Sequence, residues 1–383
     1  MFKTASLIIL ITLVFSVHIY LYIRGWQALS NNSYLRILFT TIFLIIILSV
    51  GLSFLLNNNN QTIVGYYILY LRGYWIFMAL FILSFALLAD FLRSINYLTE
   101  IFPAWIINKY SLVKLSYFFS VLTIAIIIVA IGSIKFSNPK TVGLELSFDR
   151  KNKCFENMNI VAASDLHIGA LIHKGRLSKW ISLINKQNPD IILLVGDIFD
   201  RSFSPGDSED IIIELRKLRS KYGVYAVLGN HEYHYNIKKS IIYLEQAGIT
   251  LLRDKSITVD NRLVIIGRDD AYGRGRKTID SLISGVDFSL PVIMMDHQPY
   301  DLNGAVRNNI DLYISGHTHN GQIFPGNILY GSLWQLPYGY RKIENTHLYV
   351  SSGLGLIYIP LRLGTQSEIV RILLKRENEM SLL

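Results

Sequence analysis

Five of the nine histidines lie in short loops that follow predicted strands, next to aspartate, asparagine or glycine. The loop segments are Ser164-Asp165-Leu166-His167, Gly196-Asp197, Gly229-Asn230-His231-Glu232, Asp296-His297-Gln298-Pro299 and Gly316-His317-Thr318-His319. Imidazole and carboxylate ligands without thiolates suit Mn²⁺, Fe or Zn²⁺ rather than Ca²⁺. The loops are therefore predicted to form a metal site. The remaining histidines lack such neighbours and are interpreted as surface, core or interface residues: His18, His173, His234 and His347.

Short β-branched runs alternate with amphipathic stretches from about Asn138 onwards, where Pro139 ends a helical pattern. Strands are predicted at Ile160–Ala163, Ile191–Val195, Val224–Leu228, Leu263–Ile266, Val292–Met295, Leu312–Ser315, Leu348–Ser351 and Ile369–Leu374. Helices are predicted through Leu177, Trp180, Ile181 and Ile184, near Ser208–Arg219 and near Ile237–Gln246. This alternation indicates α/β layering, in which chemistry lies at the carboxyl ends of the strands.

The first 133 residues have a different composition from the rest of the chain. The whole chain is 51% hydrophobic, but its first 133 residues carry only seven Lys/Arg and two Asp/Glu. Four apolar runs approach the roughly 20 residues that cross a bilayer: Ala5–Ile23, Ile37–Leu56, Tyr74–Leu92 and Leu115–Gly132. A cleaved signal peptide is the alternative for the first run, but no A-x-A-like site follows it. The segment is predicted to be a bundle of about four transmembrane helices.

The predicted domains are a transmembrane domain at 1–133, a linker with the first strand at 134–157, and a third segment at 158–383. With four spans, seven basic residues against five favour a cytoplasmic C-terminal domain. An extra span within 57–73, which includes the Asn57–Asn60 run, would reverse this orientation. The lone Cys154 excludes an internal disulfide framework and a cysteine-rich metal site.

The ordered motifs D-x-H, G-D, G-N-H-E, an isolated H and G-H-x-H resemble the calcineurin-like metallophosphoesterase superfamily over roughly residues 158–375. The segments Gly316–Ile323 and Ser351–Gly355 resemble its bacterial membrane-associated branch. The resemblance implies a four-layer αββα sandwich that holds two divalent metal ions (Mn, Fe or Zn). It also implies a hydrolase that cleaves a phosphoester or pyrophosphate bond with a metal-activated hydroxide.

The resemblance also implies a role for each residue of the motifs. Asp197 would bridge the two metals. The remaining ligands would be Asp165, His167 and His319 for one metal, and Asn230, His297 and His317 for the other. His231 would be a catalytic residue that is not a ligand and that donates to the leaving oxygen. Glu232 would orient His231.

Two further stretches are weaker candidates for binding substrate. The loop Asp270–Lys277 offers Arg274 and Arg276 to a phosphate, and Arg362 is a third candidate phosphate contact. A solvated loop is the alternative for the first two. The stretch Leu329–Tyr340 is rich in Trp and Tyr, which suits either core packing or contact with a bilayer or an acyl chain.

The membrane anchor favours a phosphorylated, lipid-linked substrate, because it confines the site near the bilayer. The resemblance includes hydrolases of UDP-2,3-diacylglucosamine in lipid A biosynthesis, which require a cytoplasmic site on a bacterial inner membrane. The alternatives are a broad-specificity phosphodiesterase, a lipid phosphatase, or a catalytically silent receptor or scaffold that retains the fold. Nucleic acid is disfavoured, because a net charge of +4 on residues 134–383 provides no basic stripe. The oligomeric state stays open.

Overall fold

The computed structural model describes residues 2–29, 32–55, 63–148 and 157–376. These residues form two compact units, Met1–Gly132 and Ser133–Leu383. Cys154 and the Asn57–Asn60 run lie outside the described residues.

The first unit is helical. Its helices are α1 (Phe2–Ala28), α2 (Ser33–Leu55), α3 (Ile63–Thr99), α4 (Ala104–Asn108) and α5 (Tyr110–Ser137), the last of which ends in the second unit. Four of these helices are long and apolar enough to cross a membrane, as expected from the four apolar runs. The 57–73 region holds no separate span within the described residues, because its residues from Ile63 onwards belong to α3.

The helices of the first unit bury few side chains among themselves and expose many apolar ones. Leu21, Phe43, Trp75 and Ala79 form a small buried cluster. By contrast, Ile9 is 68% exposed and Leu48 is 70% exposed. Exposed apolar surface of this extent is unfavourable in water but not in hydrocarbon. The pattern therefore fits a membrane-spanning bundle.

The second unit contains two six-stranded sheets. The strands of the first sheet, in spatial order, are β1 (Lys140–Phe148), β12 (Glu368–Arg376), β2 (Met158–Ala163), β3 (Ile191–Val195), β4 (Val224–Val227) and β5 (Thr250–Leu251). Those of the second are β10 (Gly339–Ile343), β11 (Thr346–Val350), β9 (Leu312–Ser315), β8 (Val292–Met295), β7 (Leu263–Gly267) and β6 (Lys255–Val259). The central strands β2, β3 and β4 run parallel, as do β7, β8 and β9.

Helices cover the outer faces of both sheets. The helices of the second unit, not all of which pack on a sheet, are α6 (Lys174–Asn185), α7 (Ser208–Leu215), α8 (Asn230–Tyr235), α9 (Ile237–Gln246), α10 (Ile279–Leu282), α11 (Leu302–Arg307) and α12 (Gly326–Leu333). One apolar cluster lies between the sheets and includes Leu193 and Ile265. Two others lie between a sheet and its helices, one around Trp180 and one around Met294. The expected four-layer αββα sandwich is confirmed.

The predicted strands and helices are present, with some ends displaced. The helix expected near Ser208–Arg219 ends at Leu215. The strands β6 and β10 were not predicted, because they lie at sheet edges where most positions are exposed and carry polar or charged side chains. Central strands such as β3 are buried at every residue and therefore read as continuous apolar runs.

His347 on β11 is one of the four histidines outside the motif loops. It is buried, and its ring stacks on that of Tyr340. Burial and the positive charge of Lys342 lower the pKa of His347 to about 4, from 6.5. Between these values the unfolded chain binds a proton that the folded chain does not, so stability falls as the pH drops through this window. Above pH 6.5, the ordinary pKa of histidine, the contribution of neutral His347 to folding stability is fully present.

We expect His347→Gln to weaken this pH dependence, because glutamine stays neutral. Thermal unfolding of the detergent-solubilised chain would be measured at about pH 7 and about pH 5. The drop in unfolding temperature on acidification should be smaller for the variant than for the wild type. An identical drop in the two proteins would contradict this assignment.

Candidate metal centre

The metal-site loops follow β2, β3 and β4 of one sheet and β8 and β9 of the other. Their histidines and carboxylates meet at one place and form two clusters, within each of which the ligand atoms lie within 4.8 Å of one another, and a third such group joins His167 to Asp200 and His231. Asp165, His167 and His319 form the first cluster, and Asp197, His297 and His317 form the second. The structure thus brings together six of the seven predicted ligands, with Asp197 beside His297 and His317; the seventh is Asn230.

Several of these residues have left-handed backbone conformations. The φ angles are 54° at Asp165, 47° at His167, 50° at Asp197, 70° at His317 and 50° at His319. Non-glycine residues adopt this region at a free-energy cost, and such residues concentrate at functional sites. The loops therefore accept local strain in order to direct these side chains inward.

In the first cluster, imidazole nitrogens and a carboxylate face one another. His167 Nε2 lies 3.0 Å from His319 Nε2, and His319 Nε2 lies 3.5 Å from Asp165 Oδ1. The backbone N–H of His317 donates to both oxygens of Asp165, at 3.1 and 3.2 Å. Burial lowers the pKa of His319 well below its usual value, and the nearby His167 and Arg362 add to this effect. Its imidazole is therefore neutral at physiological pH and can act as a metal ligand.

In the second cluster, backbone contacts leave ligand atoms free. The ring Nδ1 of His297 lies 2.9 Å from the carbonyl oxygen of Val195, so Nδ1 carries the proton and Nε2 faces the site. Asn230 Oδ1 is buried without a hydrogen-bond partner, and His297 Nε2, although it makes no well-directed hydrogen bond, lies 3.0 Å from a carboxylate oxygen of Asp197. Burial and the charge of His297 lower the pKa of His317 to about 3. A divalent cation could accept the lone pairs of His297 Nε2 and Asn230 Oδ1, so the residues of the cluster fit a metal ion.

Asp197 stands between the two clusters. Its Oδ2 lies 3.0 Å from His297 Nε2 and 3.8 Å from His167 Nε2. Its Oδ1 accepts the backbone N–H of His231 at 2.8 Å. Burial opposes ionisation of this carboxyl group, but the imidazoles, foremost that of His297, hold the pKa of Asp197 well below its usual range. An ionised carboxylate shared by both clusters has the placement that a bridging ligand needs.

His231 is oriented by Asp200, a residue that the sequence analysis missed. His231 Nδ1 lies 2.9 Å from Asp200 Oδ1, which is also 3.6 Å from His167 Nδ1. The only signal in the sequence was an acidic residue in the loop that follows β3. The expectation that Glu232 orients His231 is wrong.

Glu232 instead holds the backbone of two loops together. Its carboxylate is fully buried and accepts N–H groups of Gly229 at 2.6 Å, Phe199 at 2.8 Å and Asp197 at 3.1 Å. It turns back over the start of its own helix, α8, where it accepts the backbone N–H of the N-cap residue Gly229. Glu232 therefore positions the strand-end loops on which the ligands lie.

The three arginines proposed as substrate contacts lie in different surroundings. Arg362 is fully buried and donates to the carbonyl oxygens of Gly353 at 3.0 Å and Gly355 at 2.6 Å. Its Nη2 lies 3.4 Å from His319 Nδ1, so Arg362 supports a metal-ligand loop rather than facing substrate. Arg276 is paired with the buried Asp296. Arg274 is exposed.

The stretch Leu329–Tyr340 is not core. Apart from the buried Leu336, its side chains are exposed or half-buried, and α12 at its start buries no residue. The ring of Trp334 lies 5.4 Å from that of His317 and 4.9 Å from that of Tyr300. The core-packing interpretation is therefore wrong, and an exposed apolar surface lies beside the second ligand cluster.

Gly229 is required by the space around Asp197. A Cβ at this position would lie 2.2 Å from Asp197 Oδ1 and 2.7 Å from His297 Cδ2. The backbone at Gly229, with φ −113° and ψ −175°, is open to alanine, so the obstacle is steric. We expect Gly229→Ala to displace the carboxylate of Asp197 and to lower the metal content of the purified chain at least twofold, as measured by inductively coupled plasma mass spectrometry.

The matched control is Gly143→Ala on β1, where a Cβ meets no atom within 4 Å. This variant should keep the metal content and unfolding temperature of the wild type. Full metal content in Gly229→Ala would show that the space beside Asp197 does not matter for the site.

Comparisons with known proteins agree with the geometry. Residues 158–321 match the family model described as calcineurin-like phosphoesterase. An uncharacterized metallophosphoesterase of Helicobacter pylori is 30% identical over 249 residues, which cover 63% of this chain and 66% of the relative. A Danio rerio transmembrane protein with metallophosphoesterase domain is 30% identical over 254 residues, 62% of this chain and 58% of that protein.

One similar protein matches along nearly its full length. It is an uncharacterized metallophosphoesterase of Campylobacter jejuni, 30% identical over 384 residues, which cover 96% of this chain and 97% of the relative. This similarity includes the helical unit as well as the two sheets. The chain belongs to the calcineurin-like metallophosphoesterase family.

Proposed function

We propose that the chain is a membrane-anchored phosphoesterase that hydrolyses a phosphoester or pyrophosphate bond of a lipid-linked substrate. The observation that carries this proposal is the buried carboxylate of Asp197 between two clusters of metal-ligating side chains. A silent receptor that retains the fold is disfavoured, because each predicted ligand is present and the clusters are assembled.

The proposed ligands are those of the two clusters together with Asn230, whose buried Oδ1 has no hydrogen-bond partner. Two divalent cations, which we propose to be Mn, Fe or Zn, would supply Lewis acidity that activates water and neutralises charge on phosphoryl oxygens. Asp197 would hold the pair together, and the neutral imidazoles of His317 and His319 would complete the ligand set.

His231 is the proposed proton donor to the leaving oxygen. Burial lowers its pKa, but the hydrogen bond to Asp200 and the charges of Asp197 and Asp200 outweigh burial, so the pKa of His231 is raised. Because Nδ1 is engaged by Asp200, Nε2 is the nitrogen that can donate. The side chain is 13% exposed, and its ring lies 4.5 Å from that of His167, at the mouth of the first cluster.

We expect His231→Gln to lower kcat for a generic aryl phosphodiester by about 10²–10⁴-fold, the usual contribution of a general acid. The metal content of this variant should stay unchanged, because His231 is not a proposed ligand. The matched control is His234→Gln, at an exposed position on the same helix, which should retain activity. Full activity in His231→Gln would exclude the proposed role.

The lipid-linked nature of the substrate is supported by the exposed side chains of α12. We define the α12 surface as Ile328, Leu329 and Leu333 of the helix together with Phe324, which precedes it; they are 62%, 64%, 73% and 53% exposed. It precedes Trp334, whose ring packs against His317 in the second cluster. An acyl chain on this surface would be removed from water while the phosphate lies at the clusters.

UDP-2,3-diacylglucosamine is the specific substrate that we propose, with the site on the cytoplasmic face of a bacterial inner membrane. The sequence resemblance and the excess of basic residues on the C-terminal side of the predicted spans support it. A broad-specificity phosphodiesterase or lipid phosphatase is the rival. These alternatives differ in whether the acyl chains contribute to recognition.

We expect the purified full-length chain to release UMP from UDP-2,3-diacylglucosamine, and Asp197→Ala to abolish this release. Leu329→Ser combined with Leu333→Ser should raise KM for the lipid nucleotide roughly 25-fold or more, because two apolar contacts of about 1 kcal/mol or more each are lost. The same double variant should leave the KM of an aryl phosphodiester unchanged.

The outcomes separate the candidate functions. Cleavage of the aryl ester alone would retain the phosphodiesterase and exclude the lipid A substrate. Equal effects of the double variant on both substrates would contradict a role for the α12 surface. Turnover of neither substrate with Mn, Zn or Fe would contradict the proposal and favour a receptor.

A further inference from the structure

The helical unit contains an open cavity of about 810 Å³ between α1, α2, α3 and α5. This volume lies within the roughly 300–1,000 Å³ of ligand pockets in proteins. Most of its lining is apolar, including Leu21, Ile42, Phe43, Ile46, Trp75 and Met78. The metal centre and the α12 surface use none of these residues. The cavity is therefore a separate candidate binding site.

Four cationic side chains line this cavity: Arg24, Arg36, Arg93 and Lys114. They come from different helices but from one end of the bundle. Arg24 lies near the end of α1, Arg36 near the start of α2, Arg93 near the end of α3 and Lys114 near the start of α5. The Lys114 ammonium donates to the carbonyl oxygen of Gln27 at 3.1 Å, which joins α5 to the end of α1.

One carboxylate neutralises part of this charge. Asp90 is paired with Arg24 and also lies 2.6 Å from Arg93. None of the described residues that line the cavity is acidic. Arg36 and Lys114 have no carboxylate partner within the described ranges. Arg36 packs over the ring of Trp26 at 5.0 Å, and its Nε is buried without a hydrogen-bond partner. Among the described residues, the positive charges of Arg36 and Lys114 thus have no carboxylate to neutralise them beside the apolar cavity.

We propose that this cavity binds one anionic, phosphate-headed lipid, with acyl chains along the apolar lining and the phosphate between Arg36 and Lys114. Basic pockets between transmembrane helices bind anionic head groups in this way. Arginine offers a planar pair of N–H donors that matches two phosphate oxygens. Free phosphate would gain nothing from the apolar lining, and a zwitterionic lipid would bring its own cation, so the charge balance favours an anionic lipid.

The test is native mass spectrometry of the full chain in detergent, with dioleoylphosphatidylglycerol and dioleoylphosphatidylcholine added separately. We expect one phosphatidylglycerol to bind with clear preference. Each protein cation that contacts the phosphate, Arg36 or Lys114, should contribute about 1 kcal/mol to binding, or roughly fivefold in affinity. Arg36→Gln combined with Lys114→Gln should therefore weaken phosphatidylglycerol binding roughly 25-fold and remove the preference.

The control for charge is Lys109→Gln, because Lys109 is exposed and does not line the cavity. It should bind phosphatidylglycerol as the wild type does. The control for volume is a matched pair. Ala86→Trp fills the lining and should block binding, whereas Ala130→Trp, outside the lining, should not. Size-exclusion chromatography would verify that each variant remains folded.

Three results would overturn the proposal. Equal affinity for the two lipids would show that the cations do not select the head group. An equal loss in Lys109→Gln would indicate general surface attraction. Competition by glycerol phosphate at the same concentration would show that the acyl chains are not needed. Because binding is read without activity, failure here leaves the proposed phosphoesterase function untouched.

Discussion

The buried carboxylate of Asp197 is the group on which the metal centre depends. It is 1% exposed and lies near imidazoles of both clusters, His297 at 3.0 Å and His167 at 3.8 Å. An ionised carboxylate removed from water needs positive charge and hydrogen-bond donors around it. The same requirement makes it a suitable shared ligand for two cations. The absence of a side chain at Gly229 leaves it the room to occupy this place.

The strained loops are held by buried ionisable side chains that do not face a substrate. Glu232 accepts three backbone N–H groups from the loops after β3 and β4. Arg362 donates to the carbonyl oxygens of Gly353 and Gly355 behind His319. Left-handed residues cost on the order of 1–3 kcal/mol each and persist only where the surroundings impose them. These two side chains supply such surroundings, which explains why ionisable residues are buried outside the two clusters.

Exposed apolar side chains occur in both units, and in both they suit contact with lipid better than contact with water. In the helical unit they cover the four candidate spans, and in the second unit they form the α12 surface. In water each surface would be costly, and in contact with lipid neither is. The two proposals about lipid rest on different residues, a hydrophobic face near His317 in one and a cationic cavity in the other. They can therefore be true or false independently.

The sequence by itself determined the α/β layering, the four long apolar helices and the side chains of the two clusters. Central strands such as β3 are buried on both faces and stand out as apolar runs, and the ligands follow such strands directly. Only the tertiary structure decided which side chains contact one another around the two clusters. Asp200 meets His231 because two loops converge, and Arg362 is buried because loops distant in sequence close around it. The first contact depends on the pairing of β3 with β4 and the second on segments far apart in the chain, and no local pattern of residues encodes either of them.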